Sequence, residues 1–191
     1  MATSLYDLSV PTFLQTVRAV AGFLDRAATH CAETGTDPDE FVDVRLFDDM
    51  APFHFQIEAA WHHAVWGVEA LKTGAFAPPG LVGPVPFAEL RTMMGKAATA
   101  LSALTPAEVN SWADKALNIT LHRPLGEHDH SWTPWAARQH AFAPETFILS
   151  FSLPNFHFHA VTAYNILRSR GVPIGKRDYE GRLRNTNAPL G

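Results

Sequence analysis

The segment PETFILSFSLPNFHFHAVTAYNILRSRG, residues 144–171, decides the fold of this chain. It is the longest run of large apolar residues, and they recur at three- and four-residue steps, which is typical of a buried helix. The residues that set this pattern are Phe147, Ile148, Phe151, Val161, Thr162, Tyr164, Ile166 and Leu167. Pro144 suits a first helical turn and Gly171 suits the position after the last one. The segment therefore predicts a long buried helix.

Pro154 interrupts this helix near its middle. Proline has no backbone N–H and crowds the preceding turn, so we expect a kink or a break there. The polar residues Asn155, His157 and His159 follow directly. An unpaired buried polar group costs about 1–3 kcal/mol, so these side chains need partners. The function therefore depends on which groups bind these polar side chains.

The composition limits the classes of function. The chain has 191 residues, of which 47% are hydrophobic and 18% charged, and this is enough apolar material for one substantial core. Its net charge of -4 argues against a nucleic-acid-binding surface. No apolar run is long enough to span a bilayer, and the first residues lack the pattern of a secretory signal. The single cysteine, Cys31, fits a reducing compartment. We expect a cytoplasmic protein without membrane or nucleic-acid partners.

Three further helices are predicted before the segment at 144–171. Ser9 or Asp7 is expected to cap the first, with Pro11 in its opening turn. The second is expected to begin at Pro52 and to end at Gly74. The third is expected over residues 87–104, after a Pro- and Gly-rich crossover loop at residues 75–86. These elements are typical of a four-helix bundle.

The helical period is lost between the third helix and the last one. Residues 118–122 alternate as in a strand, and EHDH (127–130) is typical of a polar turn, so we expect a hairpin-like excursion over residues 118–143. The predicted fold is all-α, with residues 1–180 in a single domain and residues 181–191 as a poorly ordered tail.

Several motifs resemble those of the DinB/YfiT-like bundle superfamily, in a branch known only as a domain of unknown function. They are SLYD (4–7), VP (10–11), DM (49–50), Gln56, LPNF (153–156), His159, TAY (162–164), ILR (166–168) and IGKRD (174–178). The resemblance implies an up-down-down-up DinB-like bundle that is often a homodimer. In better-known branches, one histidine on the second helix and an HxxxH pair on the last bind a divalent metal. Some of those branches use the metal for thiol transfer or isomerisation.

The match to that metal triad is incomplete. Gln56 stands where the resemblance implies the first histidine, and Asn155 with His159 stands where it implies the HxxxH pair. An i,i+4 pair lies on one helical face, but amide oxygens are poorer ligands for Zn²⁺ or Ni²⁺ than imidazole. His63 or His54 could restore a ligand, although His54 points away from Gln56. We therefore expect no metal cofactor, with Zn²⁺ or Ni²⁺ held by His159, His63 or His54 as the alternative.

Each candidate also has a purely structural interpretation. His159 could be a core histidine bonded to Gln56 or Asp49, and Asn155 could satisfy backbone groups freed by Pro154. The adjacent His62 and His63 point about 100° apart, so at most one should face the core and the other should be solvated.

The remaining histidines and the tryptophans have weaker signals. His128 and His130 resemble a chelating pair but are more typical of an exposed turn. His157 is expected to line the site or lie at the surface, and the tryptophans to form core or pocket walls.

Three functions remain open. The first is a metal-free enzyme that binds a small-molecule ligand. In it His159, positioned by Asn155 and Gln56 with His63 nearby, performs acid–base chemistry on a largely apolar substrate. Isomerisation, cyclisation or elimination would suit such a site. The second is a divalent-metal enzyme of the DinB type, and the third is a non-catalytic binding or structural bundle.

Overall fold

A computed structural model describes residues 3–124 and 135–185. Within these ranges the chain is mostly helical. Its elements are α1 (Leu5–Thr34), a 3-10 turn (Pro38–Phe41), α2 (Phe53–Thr73), α3 (Phe87–Ser102), α4 (Pro106–Asn110), β1 (Leu117–Pro124), β2 (Trp135–Phe142), α5 (Pro144–Phe147), a π-helical turn (Ile148–Ser152), α6 (Leu153–Ser169) and α7 (Lys176–Glu180). None of the described helices has the length and apolar character needed to cross a bilayer.

Ring contacts between helices give their directions. Phe13 meets Phe156 edge-to-face, and further along both helices Phe23 meets Tyr164, so α1 and α6 run parallel. Because aromatic pairs contribute beyond the area they bury, these contacts also hold the two helices in register.

The second helix runs against α6. His159 contacts Gln56 near the start of α2, whereas Ser152, earlier in the last helix, contacts His63 further along α2. The helix pair therefore brings the start of α2 beside the middle of α6.

The core spans the four long helices, and its contacts show how α3 is oriented. Phe53 and Phe87, the first residues of α2 and α3, stack with their centroids 5.8 Å apart. These two helices therefore start at the same end and run parallel, joined by the long loop at residues 75–86. The bundle is up-down-down-up, as predicted.

The fully buried aromatic residues of the bundle include Phe13, Phe23, Phe53, Phe87, Phe147 and Phe156.

The first helix begins earlier than predicted. Ser4 is its N-cap and forms a capping box with Asp7, so the prediction of Ser9 or Asp7 as the cap was wrong. Pro11 consequently lies inside the helix instead of in its opening turn. It cannot bond the carbonyl of Asp7, four residues back, and the Thr12 hydroxyl donates to that carbonyl instead at 3.2 Å. The hydroxyl of Thr12 thus satisfies the carbonyl that Pro11 leaves without a backbone donor, and the helix can contain the proline.

Replacing Ser4 with alanine should lower the free energy of unfolding by about 1 kcal/mol, because the N–H of Asp7 loses its acceptor. Urea denaturation followed by far-UV circular dichroism measures this change. Thr29→Ala, an exposed mid-helix substitution in α1, is the control and should change stability by less than about 0.5 kcal/mol. Equal losses in the two variants would contradict the capping role.

The last helix is neither broken nor continuously α-helical. The π-helical turn ends just before Pro154, which lies in the first turn of α6, and Ser152 and Leu153 keep right-handed helical dihedrals. A π turn holds one extra residue, so the inward face shifts by roughly 100° across it. Val161, predicted to face inward, is 37% exposed, whereas Phe156 is fully buried. The expected disruption at Pro154 therefore takes the form of a π turn.

The hairpin-like excursion is present as two antiparallel strands. Leu117 of β1 pairs with Phe142 of β2, and Ile119 pairs with His140. Leu117 and Ile119 are buried, so one face of the hairpin covers the core. The tip with His128 and His130 lies outside the described residues.

The chain after α6 returns to α1. Arg26 lies 3.5 Å from Asp178 of α7, and Arg184 donates hydrogen bonds to Thr12 and Gln15. Part of the predicted tail, residues 181–185, therefore contacts α1. Residues 186–191 are outside the described part of the chain, and their disorder stays a prediction.

Candidate functional site

A chain of hydrogen bonds links α6 to the start of α2. The Nδ1 atom of His159 lies 2.8 Å from Oε1 of Gln56, and Nε2 of Gln56 donates to the carbonyl of Ala51 at 2.9 Å. Because the Gln56 nitrogen is committed to a carbonyl, its oxygen must be the acceptor from His159. The proton of the neutral imidazole is therefore on Nδ1, and Nε2 carries the lone pair.

Burial keeps this imidazole neutral. Removal from water disfavours the charged ring and lowers the pKa of His159 to about 4. Gln56 beside it is only 2% exposed, so the hydrogen bond that orients the ring is itself shielded from water. At neutral pH the site therefore presents an oriented, uncharged nitrogen base.

A second imidazole and several phenylalanines adjoin His159. The ring of His63 lies nearly parallel to it, with centroids 5.9 Å apart. Phenylalanine rings flank the pair, Phe55 and Phe158 beside His159 and Phe76 and Phe151 beside His63. The surroundings of the base are thus apolar and aromatic. The sequence predicts the two histidines and a pocket walled by phenylalanine and tryptophan residues, but it does not identify these four rings, since phenylalanine is frequent along the whole chain.

The side chain of Asn155 forms a hydrogen bond with the backbone of its own helix. Its Nδ2 donates to the carbonyl of Phe151 at 2.7 Å, within the π-helical turn. This contact agrees with the structural interpretation, in which the amide satisfies a carbonyl near the interruption at Pro154. Asn155 and His159 occupy the same helical face, one turn apart. The contact of Asn155 with the turn helps to fix the start of the helix that carries His159.

The prediction for His62 needs correction. His62 is only 6% exposed, so the expectation that either His62 or His63 is solvated was wrong. The rings of Trp61 and Trp66 pack against the imidazole of His62. Trp112 is buried in the core and Trp61 packs against that core, so the prediction that tryptophans form core or pocket walls is confirmed for these two residues.

The other candidate histidines lie apart from His159. His54 points towards Asp43, with Nε2 3.8 Å from the carboxylate oxygen. His157 lies on another face of α6, where its Nδ1 is 3.2 Å from the hydroxyl of Tyr179. Neither imidazole adds a base or a ligand atom to the Gln56–His159 pair.

The side chains at this site do not match a tight divalent-metal site. Within residues 3–124 and 135–185 no three His, Cys, Asp or Glu side chains are placed to share an ion. Gln56 and His159, two of the three positions that the resemblance implies as metal ligands, bond directly to each other. A zinc site typically takes three or four imidazole, thiolate or carboxylate ligands, and here amides occupy two of the three positions.

A depression on the outer face of α3 is separate from this site. Its volume is about 570 Å³, and it is lined by Thr92, Gly95, Lys96, Thr99 and Ala100. None of these side chains belongs to α2 or α6, and they offer no acid–base pair. The depression therefore does not mark the candidate site.

Comparisons with known proteins agree with this architecture. The model of DUF1993, described as a domain of unknown function, matches residues 5–180. No curated protein matches the chain. The crystal structure of a DinB family member protein from Shewanella denitrificans is similar over 97% of this chain and 96% of that one, with 27% sequence identity and a TM-score of 0.72.

Proposed function

Because the chain belongs to the DUF1993 family and has a DinB-like fold, we propose that it is a small-molecule enzyme in which His159 performs acid–base chemistry. The observation that carries this proposal is the hydrogen-bond chain from Ala51 through Gln56 to His159. The chain fixes both the tautomer and the direction of the ring, which is what a general base requires.

The proposed mechanism follows from the position of each proton. Nε2 of His159 takes a proton from the substrate, and the ring becomes an imidazolium whose Nδ1–H still donates to Gln56. The amide oxygen of Gln56 then stabilises the positive charge that develops on the ring. In the second half of an isomerisation or cyclisation, the same Nε2–H returns the proton to another atom of the substrate.

The low pKa of His159 limits the substrates that suit this site. An imidazole with a pKa of about 4 is a weak base, so the proton that it removes must be activated. Negative charge that accumulates on the bound substrate beside the ring would stabilise the imidazolium and raise that pKa. The aromatic surroundings favour a largely apolar substrate. The proposed reaction class is therefore isomerisation, cyclisation or elimination at an activated C–H, O–H or S–H bond.

One observation favours a second candidate, a non-catalytic bundle. Gln56 and His159 satisfy each other directly, as two buried polar groups in a structural contact would. The proposal of a divalent-metal thiol transferase or isomerase has less support, because the side chains at the site lack the required ligands.

The probe 5-nitrobenzisoxazole tests for a base in an apolar setting. A base removes the proton from its ring carbon, the N–O bond breaks, a nitrile forms and a coloured phenolate is released. The wild-type protein should accelerate this opening at pH 7, and His159→Ala should lower the rate by about tenfold or more. His157→Ala, an imidazole loss two residues away on the same helix, is the control and should keep the wild-type rate.

Folding is checked in the same samples. His159→Gln, which keeps a polar side chain, separates loss of the base from loss of structure, and circular dichroism spectra of all variants must match. Folded His159 variants that open the probe as fast as the wild type would overturn the enzymatic proposal and leave the structural role.

The pH dependence has a definite sign. Because the pKa of His159 is lowered to about 4, the ring is neutral at pH 7 and stays so until the solution is strongly acidic. The rate of probe opening should be level from pH 8 to 5.5 and should fall by half near pH 4. Imidazole NMR should show the same midpoint, with the neutral ring protonated on Nδ1. A midpoint near 6.5 would show that the ring is solvated and would contradict the site.

A further inference from the structure

Phe158 of α6 is a large aromatic residue that lies at the surface directly beside His159. It is 56% exposed, and its ring contacts the imidazole edge-to-face, with the centroids 5.4 Å apart and the planes at 84°. Phe55 of α2, which is partly exposed, makes a second edge-to-face contact with the same imidazole at 5.7 Å. The proposed function uses the apolar character of these rings but not their positions.

The exposure of Phe158 has meaning only because of this contact. A single apolar side chain at the surface of a protein is common and needs no explanation. Phe47, for example, is 68% exposed, but its ring does not contact His159. Phe158 instead presents an uncovered aromatic ring to any molecule that approaches the base, and a ligand that covered this ring would remove apolar surface from water.

The nitrogen that acts as the base is reachable from the same side chain surroundings. Nδ1 of His159 is committed to Gln56. Among residues 3–124 and 135–185, Nε2 of His159 has no hydrogen-bond partner, and it is not one of the buried atoms, so solvent or a ligand can contact it. A substrate at Nε2 would therefore lie next to the rings that flank the imidazole.

The angles between the rings restrict the shape of that substrate. The lone pair of Nε2 lies in the plane of the imidazole, and the ring of Phe158 is nearly perpendicular to that plane. A flat ring stacked on Phe158 is then also nearly perpendicular to the imidazole, and it can direct its edge towards Nε2. Offset stacking of this kind is a favoured arrangement of two aromatic rings.

We propose that Phe158 is the surface on which the substrate stacks, and that the substrates are planar aromatic compounds that carry the transferred hydrogen at the edge of a ring. This inference rests on the function proposed above for His159. Nε2 takes the hydrogen as a proton, and the electron pair of the broken bond stays with the substrate. Stacking on Phe158 holds that bond in line with the lone pair, so Phe158 determines specificity and takes no part in the proton transfer.

Two probes separate stacking from proton removal. 5-Nitrobenzisoxazole is flat and bicyclic, whereas nitroethane has an acidic C–H bond but no ring. Phe158→Ala should lower kcat/KM for the opening of 5-nitrobenzisoxazole by about tenfold, mainly through a higher KM, because a stacking contact is lost. The exchange of the acidic hydrogens of nitroethane in D₂O, followed by NMR, should stay within about twofold of the wild-type rate.

Three variants serve as controls. Phe158→Tyr keeps an aromatic ring and should restore the wild-type KM, whereas Phe158→Leu keeps an apolar side chain without the ring and should not. Leu183→Ala removes a similarly exposed apolar side chain, 54% exposed, from the segment that contacts α1, and it should leave both rates unchanged. Circular dichroism spectra of all variants must match that of the wild type.

The outcomes distinguish the stacking role from the proposed function. An unchanged KM for 5-nitrobenzisoxazole in Phe158→Ala, or an equal loss with both probes, would overturn the stacking role and leave His159 as the base. If the wild type accelerated neither probe, the function proposed for His159 would fail and the stacking role with it. A dimer that dissociates in Phe158→Ala at unchanged KM, seen by sedimentation, would instead assign the exposed ring to a contact between two copies of the chain.

Discussion

Phe156→Ala is expected to lower the free energy of unfolding by about 3–5 kcal/mol. Phe156 is fully buried beside the π-helical turn, and its ring meets Phe13 of α1 edge-to-face with centroids 5.1 Å apart. Alanine would remove the ring contact and leave a cavity between two helices that the rest of the core holds in place. Because a domain of this kind is stable by only about 5–15 kcal/mol, the loss would be a large part of the total.

Phe158→Ala is the matched control, since it makes the same change two residues along the same helix. Phe158 is 56% exposed, so its loss should cost less than about 1 kcal/mol. Urea denaturation of both variants gives the comparison, provided that the slopes of unfolding stay equal. If Phe156→Ala were as stable as Phe158→Ala, the inward face assigned to α6 would be wrong.

Gly67→Ala should destabilise the protein by about 1–3 kcal/mol, although glycine to alanine normally stabilises a helix interior by about 1 kcal/mol. A Cβ atom at Gly67 would lie 2.1 Å from Oγ and 3.2 Å from Cβ of Ser152. Ser152 cannot turn away freely, because its buried hydroxyl donates to the carbonyl of His63 at 2.7 Å. The close approach of α2 to the last helix therefore requires glycine here.

A double-mutant cycle isolates this contact. Ser152→Ala alone should cost about 1 kcal/mol for its hydrogen bond, and the double variant should be more stable than the sum of the single changes predicts. Gly95→Ala in α3 is the control: no atom lies within 4 Å of its added Cβ, so the usual helix stabilisation should appear. Additive losses at residues 67 and 152 would show that the two residues do not touch.

The site depends on this same approach. Ser152 and Gly67 set the separation of the last helix from α2, and Gln56 and His159 bridge the same two helices. A change at residue 67 should therefore also disturb the orientation of His159. The imidazole NMR signals of Gly67→Ala would report this directly.

The pattern of the chain was sufficient for the bundle and for the polar residues after Pro154, whereas Gln56 became a candidate only through the resemblance to the DinB/YfiT-like superfamily. Three- and four-residue steps locate helices because one face of each must be buried. Proline and glycine marked most helix ends, and Pro154 marked the position of the π-helical turn. The pattern misplaced the start of α1. The hydroxyl of Thr12 replaces the hydrogen bond that Pro11 cannot make, and a single hydrogen bond of this kind cannot be detected from the spacing of apolar residues.

Only the tertiary structure decided which polar groups meet. The bond from His159 to Gln56 joins residues 103 positions apart, and its length depends on how closely α2 and the last helix approach. The burial of His62 depends on the packing of Trp61 and Trp66 against it, and the outward position of Val161 depends on the extra residue in the π turn. A sequence specifies which face of a helix is apolar, but the neighbour of each face is set by packing of the whole chain.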